Sequence, residues 1–361
     1  MKTIKFRIAA LCGILSAGVV SAQPQQPAAI LPLAPPVVST VPSNGDVNPY
    51  GVAVVPRSLL GNTVLQAGDI LVSNFNNNQN LQGTGSTIVR ISQQGQQSLF
   101  YQAPVVGLTA ALGVLSDGIV VAGNLPTADG TSATVQPGSL MFIDPRGNLL
   151  GAINGTNYVN GPWGLAVHDF GGGAAQIFVS NVLAGNVIRF DVTYDGGGQM
   201  VKVRDAVVVA SGYSHRTDPA ALVLGPSGLA YDEKHDTLYV ASSADNAIYA
   251  LQGAGQTGST LGTGLMIFND ATKLHGPLML SLAPTGHLIV ANSDGSNADE
   301  NQPSELVEFT TGGQFIGQYS VDPNNGGAFG LSVTAIGPAT VRVAAVDDNA
   351  NALKIFTTVV Q

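Results

Sequence analysis

The sequence predicts an all-β fold: a six-bladed β-propeller of four-stranded blades, closed by an N-terminal strand pairing with the last blade. Three observations predict it. A unit of short apolar strands recurs six times with no helical periodicity between the copies. The last unit runs out of chain one strand short, while an unassigned strand stands before the first. With 45 glycines and only 10% charged residues, the composition suits many short strands joined by tight turns.

In chain order, residues 1–22 read as a secretory signal peptide. Lys2, Lys5 and Arg7 precede an apolar run ending at Val20, and Val20-Ser21-Ala22 supplies small residues before Gln23. The run is short for a membrane span, which needs about 20 apolar residues, and no integral membrane segment is expected after cleavage. The expected location is therefore exported, periplasmic or extracellular. Cys12, the only cysteine, falls within the signal, so the mature chain would have no disulfide and no thiol nucleophile. Removing three of the 14 basic residues leaves 11 against 23 acidic ones, a net charge of −12. That balance argues against nucleic acid and anionic membrane surfaces as partners. Residues 23–36, rich in proline and glutamine, read as an extended linker because proline fixes φ and donates to no ladder.

The propeller is expected over 37–361. Its clearest unit is Gly225-Pro226-Ser227-Gly228-Leu229-Ala230, a turn, then Leu238-Tyr239-Val240-Ala241-Ser242. Gly161-Pro162-Trp163-Gly164-Leu165-Ala166 leads likewise to Ile177-Phe178-Val179-Ser180-Asn181, and Asn48-Pro49-Tyr50-Gly51-Val52-Ala53 to Ile70-Leu71-Val72-Ser73-Asn74. Further copies end at Asn124, Asn292 and Asp347. Taking Asn74, Asn124, Asn181, Ser242, Asn292 and Asp347 as equivalent gives steps of 50, 57, 61, 50 and 55 residues. Third strands follow, as at Leu140-Met141-Phe142-Ile143 and Leu306-Val307-Glu308-Phe309, and then fourth strands. The stretch Val37-Val38-Ser39-Thr40-Val41 is left to complete the sixth blade, which favours a ring over a sandwich because closure removes free edges.

The Gly-Pro-x-Gly-Leu-Ala and Leu-Tyr-Val-Ala-(Ser/Asn) pair resembles the repeat of NHL proteins, within the six-bladed TolB-like propellers. The resemblance covers nearly the whole mature chain. Its units are longer than the usual repeat, and the second and sixth copies are degenerate. It implies a fold and not an activity.

The turn preceding strand one and the turn following strand two emerge on one face, where asparagine and aspartate collect. Candidate ligand residues at this channel mouth are Asn74, Asn124, Asn181, Asn292, Asp347, Trp163 and His275, with Tyr50 and Phe329 on the same side. Asn and Asp are also ordinary turn formers. Asn181, Asn292, Asp294 and Asp347 are candidate ligands for a divalent metal such as calcium, which takes hard oxygen donors. Gly253-Ala254-Gly255-Gln256-Thr257-Gly258 matches a dinucleotide fingerprint in spacing alone and reads as a turn, because no helix pattern follows. No Gly-x-Ser-x-Gly elbow occurs.

Two functions fit. The first is a non-catalytic binding or scaffold module for a protein, glycan or small polar ligand. The alternative is a metal-dependent lactonase or lyase, resembling the gluconolactonase and streptogramin-lyase propellers. Against the alternative, no glutamate of the first unit and no histidine is seen to join the ring of Asn74, Asn181, Asn292 and Asp347.

Overall fold

The structure, a computed structural model, describes residues 36–56, 64–195 and 200–359. The expected signal peptide and almost all of the expected linker lie outside these residues. Six antiparallel four-stranded sheets surround a central axis. Blade 1 comprises Val47–Val54, Ile70–Asn76, Thr87–Ile91 and Gln97–Gln102; blade 2 comprises Leu108–Val114, Val120–Asn124, Ser139–Ile143 and Leu149–Asn154. Blade 3 is built from Pro162–Gly171, Ala174–Asn181, Asn186–Tyr194 and Val201–Ser211, and blade 4 from Pro226–Asp232, Thr237–Ser242, Ala247–Gln252 and Leu265–Phe268. Blade 5 holds Pro277–Leu282, His287–Asn292, Glu305–Thr310 and Phe315–Ser320. Blade 6 has Leu331–Gly337, Thr340–Asp347 and Ala352–Val359, and its fourth strand is Val37–Ser39. No α-helix occurs among the described residues, and none there is long and apolar enough to cross a membrane.

Closure joins the two ends of the propeller. Val37, Val38 and Ser39 pair with Lys354, Leu353 and Ala352, and Thr40 donates to Asn351 O through both its amide (3.0 Å) and its hydroxyl (2.8 Å). Pairing this outer edge satisfies backbone groups that would otherwise form an open template.

The repeated residues explain how the blades meet. A Cβ on Gly164 would lie 2.3 Å from Ser227 O, on Gly228 2.5 Å from Met279 Cα, and on Gly330 2.0 Å from Tyr50 O. Each of these glycines thus touches the backbone of the next inner strand, and the last contact closes the ring. The serine of strand two completes the junction. Ser73 Oγ donates to Thr109 O at 2.7 Å and Ser180 Oγ to Ser227 O at 2.5 Å, both in the following blade. Between blades, the apolar faces interleave as separate clusters; Ile177, Val179, Ile188 and Phe190 of blade 3, for example, pack with Ala111, Val121 and Phe142 of blade 2.

One element was not anticipated. A two-stranded ribbon, Arg216–Asp218 with Leu222–Leu224, lies between blades 3 and 4 and accounts for the longest repeat step. Asp218 Oδ1 fixes its turn by accepting from Ala220 N (2.9 Å) and Ala221 N (3.0 Å). The Gly253–Gly258 stretch is a turn after the third strand of blade 4. Its Ala254 and Thr257 carbonyls accept from Arg189 Nη1 at 2.9 Å each, tying blade 4 to blade 3.

Candidate functional site

At the mouth of the channel one residue opens the inner strand of each blade, following Pro49, Leu108, Pro162, Pro226, Pro277 and Ala328. Three of these positions carry aromatic rings. Tyr50 lies 4.7 Å from Phe329 and 5.5 Å from Trp163 between ring centroids, and Phe75 packs behind at 4.7 Å from Tyr50 and 5.4 Å from Trp163. Thr109, Ser227 and Leu278 occupy the other three positions, so three large side chains fill the axis between three small or flexible ones. The rings floor a pocket of about 420 Å³. Its walls bring together Asn48, Asn76 and Gln82 near blade 1, Ala221 and Leu224 of the ribbon, Asp294 between strands two and three of blade 5, and Asp348 of blade 6.

The asparagines at the end of strand two are placed differently. Asn74, Asn124, Asn181, Asn292 and Asp347 are all buried and none lines this pocket. Their amides brace the segment that leads into their own blade: Asn74 Nδ2 donates to Thr40 O (3.1 Å), Asn124 to Val106 O (2.9 Å), Asn181 to Tyr158 O (3.0 Å) and Asn292 to Lys273 O (2.7 Å). In blade 6 a lysine completes the same brace, since Lys354 Nζ pairs with Asp347 Oδ2 at 2.9 Å and donates to Val321 O. Blade 4 uses Ser242 Oγ to Asp245 (2.7 Å), whose carboxylate accepts from Ser214 N (3.3 Å). These residues recur because every blade must hold its connecting segment. Asn181 and Asp347 share no ligand cluster with Asn292 and Asp294.

Blade 5 departs from this pattern. The residue paired with the strand-two asparagine is small and polar in blades 1 and 2, where Thr87 and Ser139 stand, and is Asn186 in blade 3. In blade 5 it is Glu305. One ligand atom from each of His275, Asp294 and Glu305 lies within 4.8 Å of the others. His275 Nδ1 is 3.3 Å from Glu305 Oε2, which also accepts from Asn292 Nδ2 at 3.3 Å. His275 and Glu305 are 1% and 2% exposed. Three oxygens in this nest are buried without a hydrogen-bond partner among the described residues: Asn292 Oδ1, Asp294 Oδ1 and Glu305 Oε1. Orphaned buried acceptors are costly, at about 1–3 kcal/mol each. Burial also pushes the Asp294 and Glu305 carboxyls above their ordinary range, against the lowering influence of His275. A bound cation would answer both costs.

One imidazole with carboxylate and amide oxygens suits zinc or manganese better than calcium or magnesium, which favour all-oxygen shells. Asp294 joins the nest to the pocket. Its Oδ2 accepts from Gly326 N (2.7 Å) and Ser304 N (3.1 Å), and the residue lines the pocket wall. Glu305 escaped the sequence reading, although a glutamate at the position that blades 1 and 2 give to a hydroxyl was the signal available. His275, expected at the mouth, sits behind Asp294 and does not line the pocket.

No protein-family model matches the sequence, and no curated protein sequence matches it. Solved structures do resemble the fold. A gluconolactonase from Xanthomonas campestris is 13% identical, with 94% of this chain and 99% of that chain covered at a TM-score of 0.52. The calcium-binding protein regucalcin from Agrobacterium tumefaciens is 14% identical, with 91% and 97% covered at 0.51. A virginiamycin B lyase from Staphylococcus aureus is 12% identical, with 90% and 99% covered at 0.47. What this chain shares with them is the six-bladed propeller.

Proposed function

We propose that this chain is an exported propeller of NHL-like repeats that binds a divalent cation through His275, Asp294 and Glu305. It would use that cation beside the mouth pocket to act on a small polar ligand, as a lactonase or lyase does. The observation that carries this reading is the set of three partnerless buried oxygens around His275. Single orphaned atoms such as Asn74 Oδ1 occur elsewhere among the described residues, but here three oxygens gather around one buried imidazole. A bound divalent ion polarises a carbonyl oxygen placed against it. The chain's own residues would do the rest. Asp294 faces both cation and pocket, the rings of Tyr50, Trp163 and Phe329 close the floor against the lower channel, and the wall amides orient the ligand. The names of the solved relatives include a gluconolactonase and a calcium-binding protein, which agrees with this reading without adding to it at 13–14% identity. The aromatic floor by itself favours a second reading, a binding module that holds a glycan or another small polar ligand without turning it over.

The test is a thermal-shift titration of chelator-stripped protein with Mn²⁺, Zn²⁺, Mg²⁺ and Ca²⁺. An ion at about 100 times its Kd adds about 2.7 kcal/mol. For a domain of this size that raises Tm by roughly 5 °C. The shift should reverse with chelator and vanish in His275→Ala and Glu305→Gln. Protein that no ion stabilises, or a shift that survives both substitutions, overturns the cation site. Turnover is then sought on lactones with the loaded protein, and binding without turnover supports the second reading.

A further inference from the structure

The mouth pocket carries negative charge and no cationic side chain. Among the described residues lining it there is no lysine, arginine or histidine, but there are two aspartates, Asp294 and Asp348. Asn76 Nδ2 is committed to Asn80 Oδ1 at 2.7 Å, which leaves Asn76 Oδ1 buried without a partner, and Asn48 Oδ1 is buried and partnerless as well. Both residues are more than nine-tenths buried, at 8% exposed for Asn48 and 2% for Asn76.

Asp348 is held at the wall by its backbone, its amide donating to Gly327 O (2.8 Å) and its carbonyl accepting from Asn351 N (2.9 Å). No hydrogen-bond or ion-pair partner of its carboxylate is found among the described residues. The nearby cation, Lys354, is spent on Asp347 and on Val321 O. Asp347 and the phenol of Tyr50 are the other titratable groups set against Asp348.

We propose that the pocket is built for a small ligand carrying a protonated amine, whose ammonium group pairs with the Asp348 carboxylate beside Tyr50. An ammonium offers three donors and no acceptor, which is the complement of an unpaired carboxylate on the pocket wall. The ring faces of Tyr50 and Phe329 add the attraction of an aromatic surface for a cation. The Asp348 carboxyl stands at about 7, raised by burial and by Asp347, so an arriving ammonium would draw it into the charged form. The inference rests on the mouth pocket being the binding site, and not on the cation nest.

Isothermal titration on the full mature chain, in chelator, tests it with paired probes. Glucosamine, ethanolamine and lysine amide are each compared with their N-acetylated forms, and glucuronate serves as the anionic control. At least one amine should bind at least about tenfold more tightly than its acetylated partner, as expected for a charge-assisted hydrogen bond. That preference should shrink as pH is lowered from about 8 to about 5 and disappear in Asp348→Asn, an isosteric change. Equal binding of amine and acetylated partner, preference for glucuronate, or a preference that persists in Asp348→Asn overturns the proposal. So does the absence of any amine binding. If the amines fail while the metal-dependent thermal shift persists, the amine inference alone falls. If both fail, the mouth pocket loses its role.

Discussion

Asp348 allows a stability prediction that needs no ligand. Its carboxyl stands at about 7, well above the ordinary aspartate value of 3.8, because burial and Asp347 both disfavour its charge. The folded protein therefore holds a proton that the unfolded chain releases near pH 4. Between these two values the unfolded state binds fewer protons, so stability falls as pH rises, and the loss is complete above the folded value. Three units at about 1.4 kcal/mol each give an upper bound of about 4 kcal/mol, and water on the pocket side reduces the expectation to about 2–4 kcal/mol. Asp348→Asn has the same shape and no charge at any pH. In urea melts it should match the wild type near pH 4 within the cost of the amide, and exceed it by about 2–4 kcal/mol near pH 8.5. The comparison with the variant matters because Asp117, raised to about 6 by its own burial, tilts the wild-type curve in the same direction. A difference between the two proteins that stays flat from pH 4 to 8.5 would refute the reasoning. A ligand that supplies an ammonium to Asp348 should restore stability to the wild type and leave Asp348→Asn unchanged.

Two further outcomes test the architecture. Gly330→Ala places a Cβ 2.0 Å from Tyr50 O at the closure between blades 6 and 1, and should cost at least about 2 kcal/mol in urea unfolding because backbone must move. Asn124→Ala removes the donor to Val106 O, which lies on an exposed residue, and the acceptor for Ser139 N (2.8 Å), which is left buried and unpaired. It should cost about 2–3 kcal/mol while leaving the metal-dependent thermal shift of blade 5 unaltered, whereas a ligand role for Asn124 would change that shift.

The sequence by itself determined the architecture, because each blade solves the same local problems with the same residues. The glycine after Pro-x marks where neighbouring backbones touch, the serine of strand two reaches the next blade, and the asparagine after it braces the connecting segment. Residues repeated for these reasons announce the fold and by the same token say little about a ligand. That is why Asn74, Asn124 and Asn181 attracted a functional reading and turned out to serve structural hydrogen bonds. The missing fourth strand of blade 6 was likewise legible, since five units had four strands and the last had three, with one strand unassigned at the other end of the propeller.

Tertiary structure alone decided the cation nest and the pocket. His275, Asp294 and Glu305 lie in three different segments, and only the register of strands two and three in blade 5 sets Glu305 opposite Asn292. The ribbon from Arg216 to Leu224 interrupts the repeat and supplies a pocket wall that no periodicity foretells. Asp348 is an ordinary turn residue in the sequence. It becomes a distinctive one because folding strips much of its water, sets Asp347 beside it, and directs the one nearby lysine elsewhere.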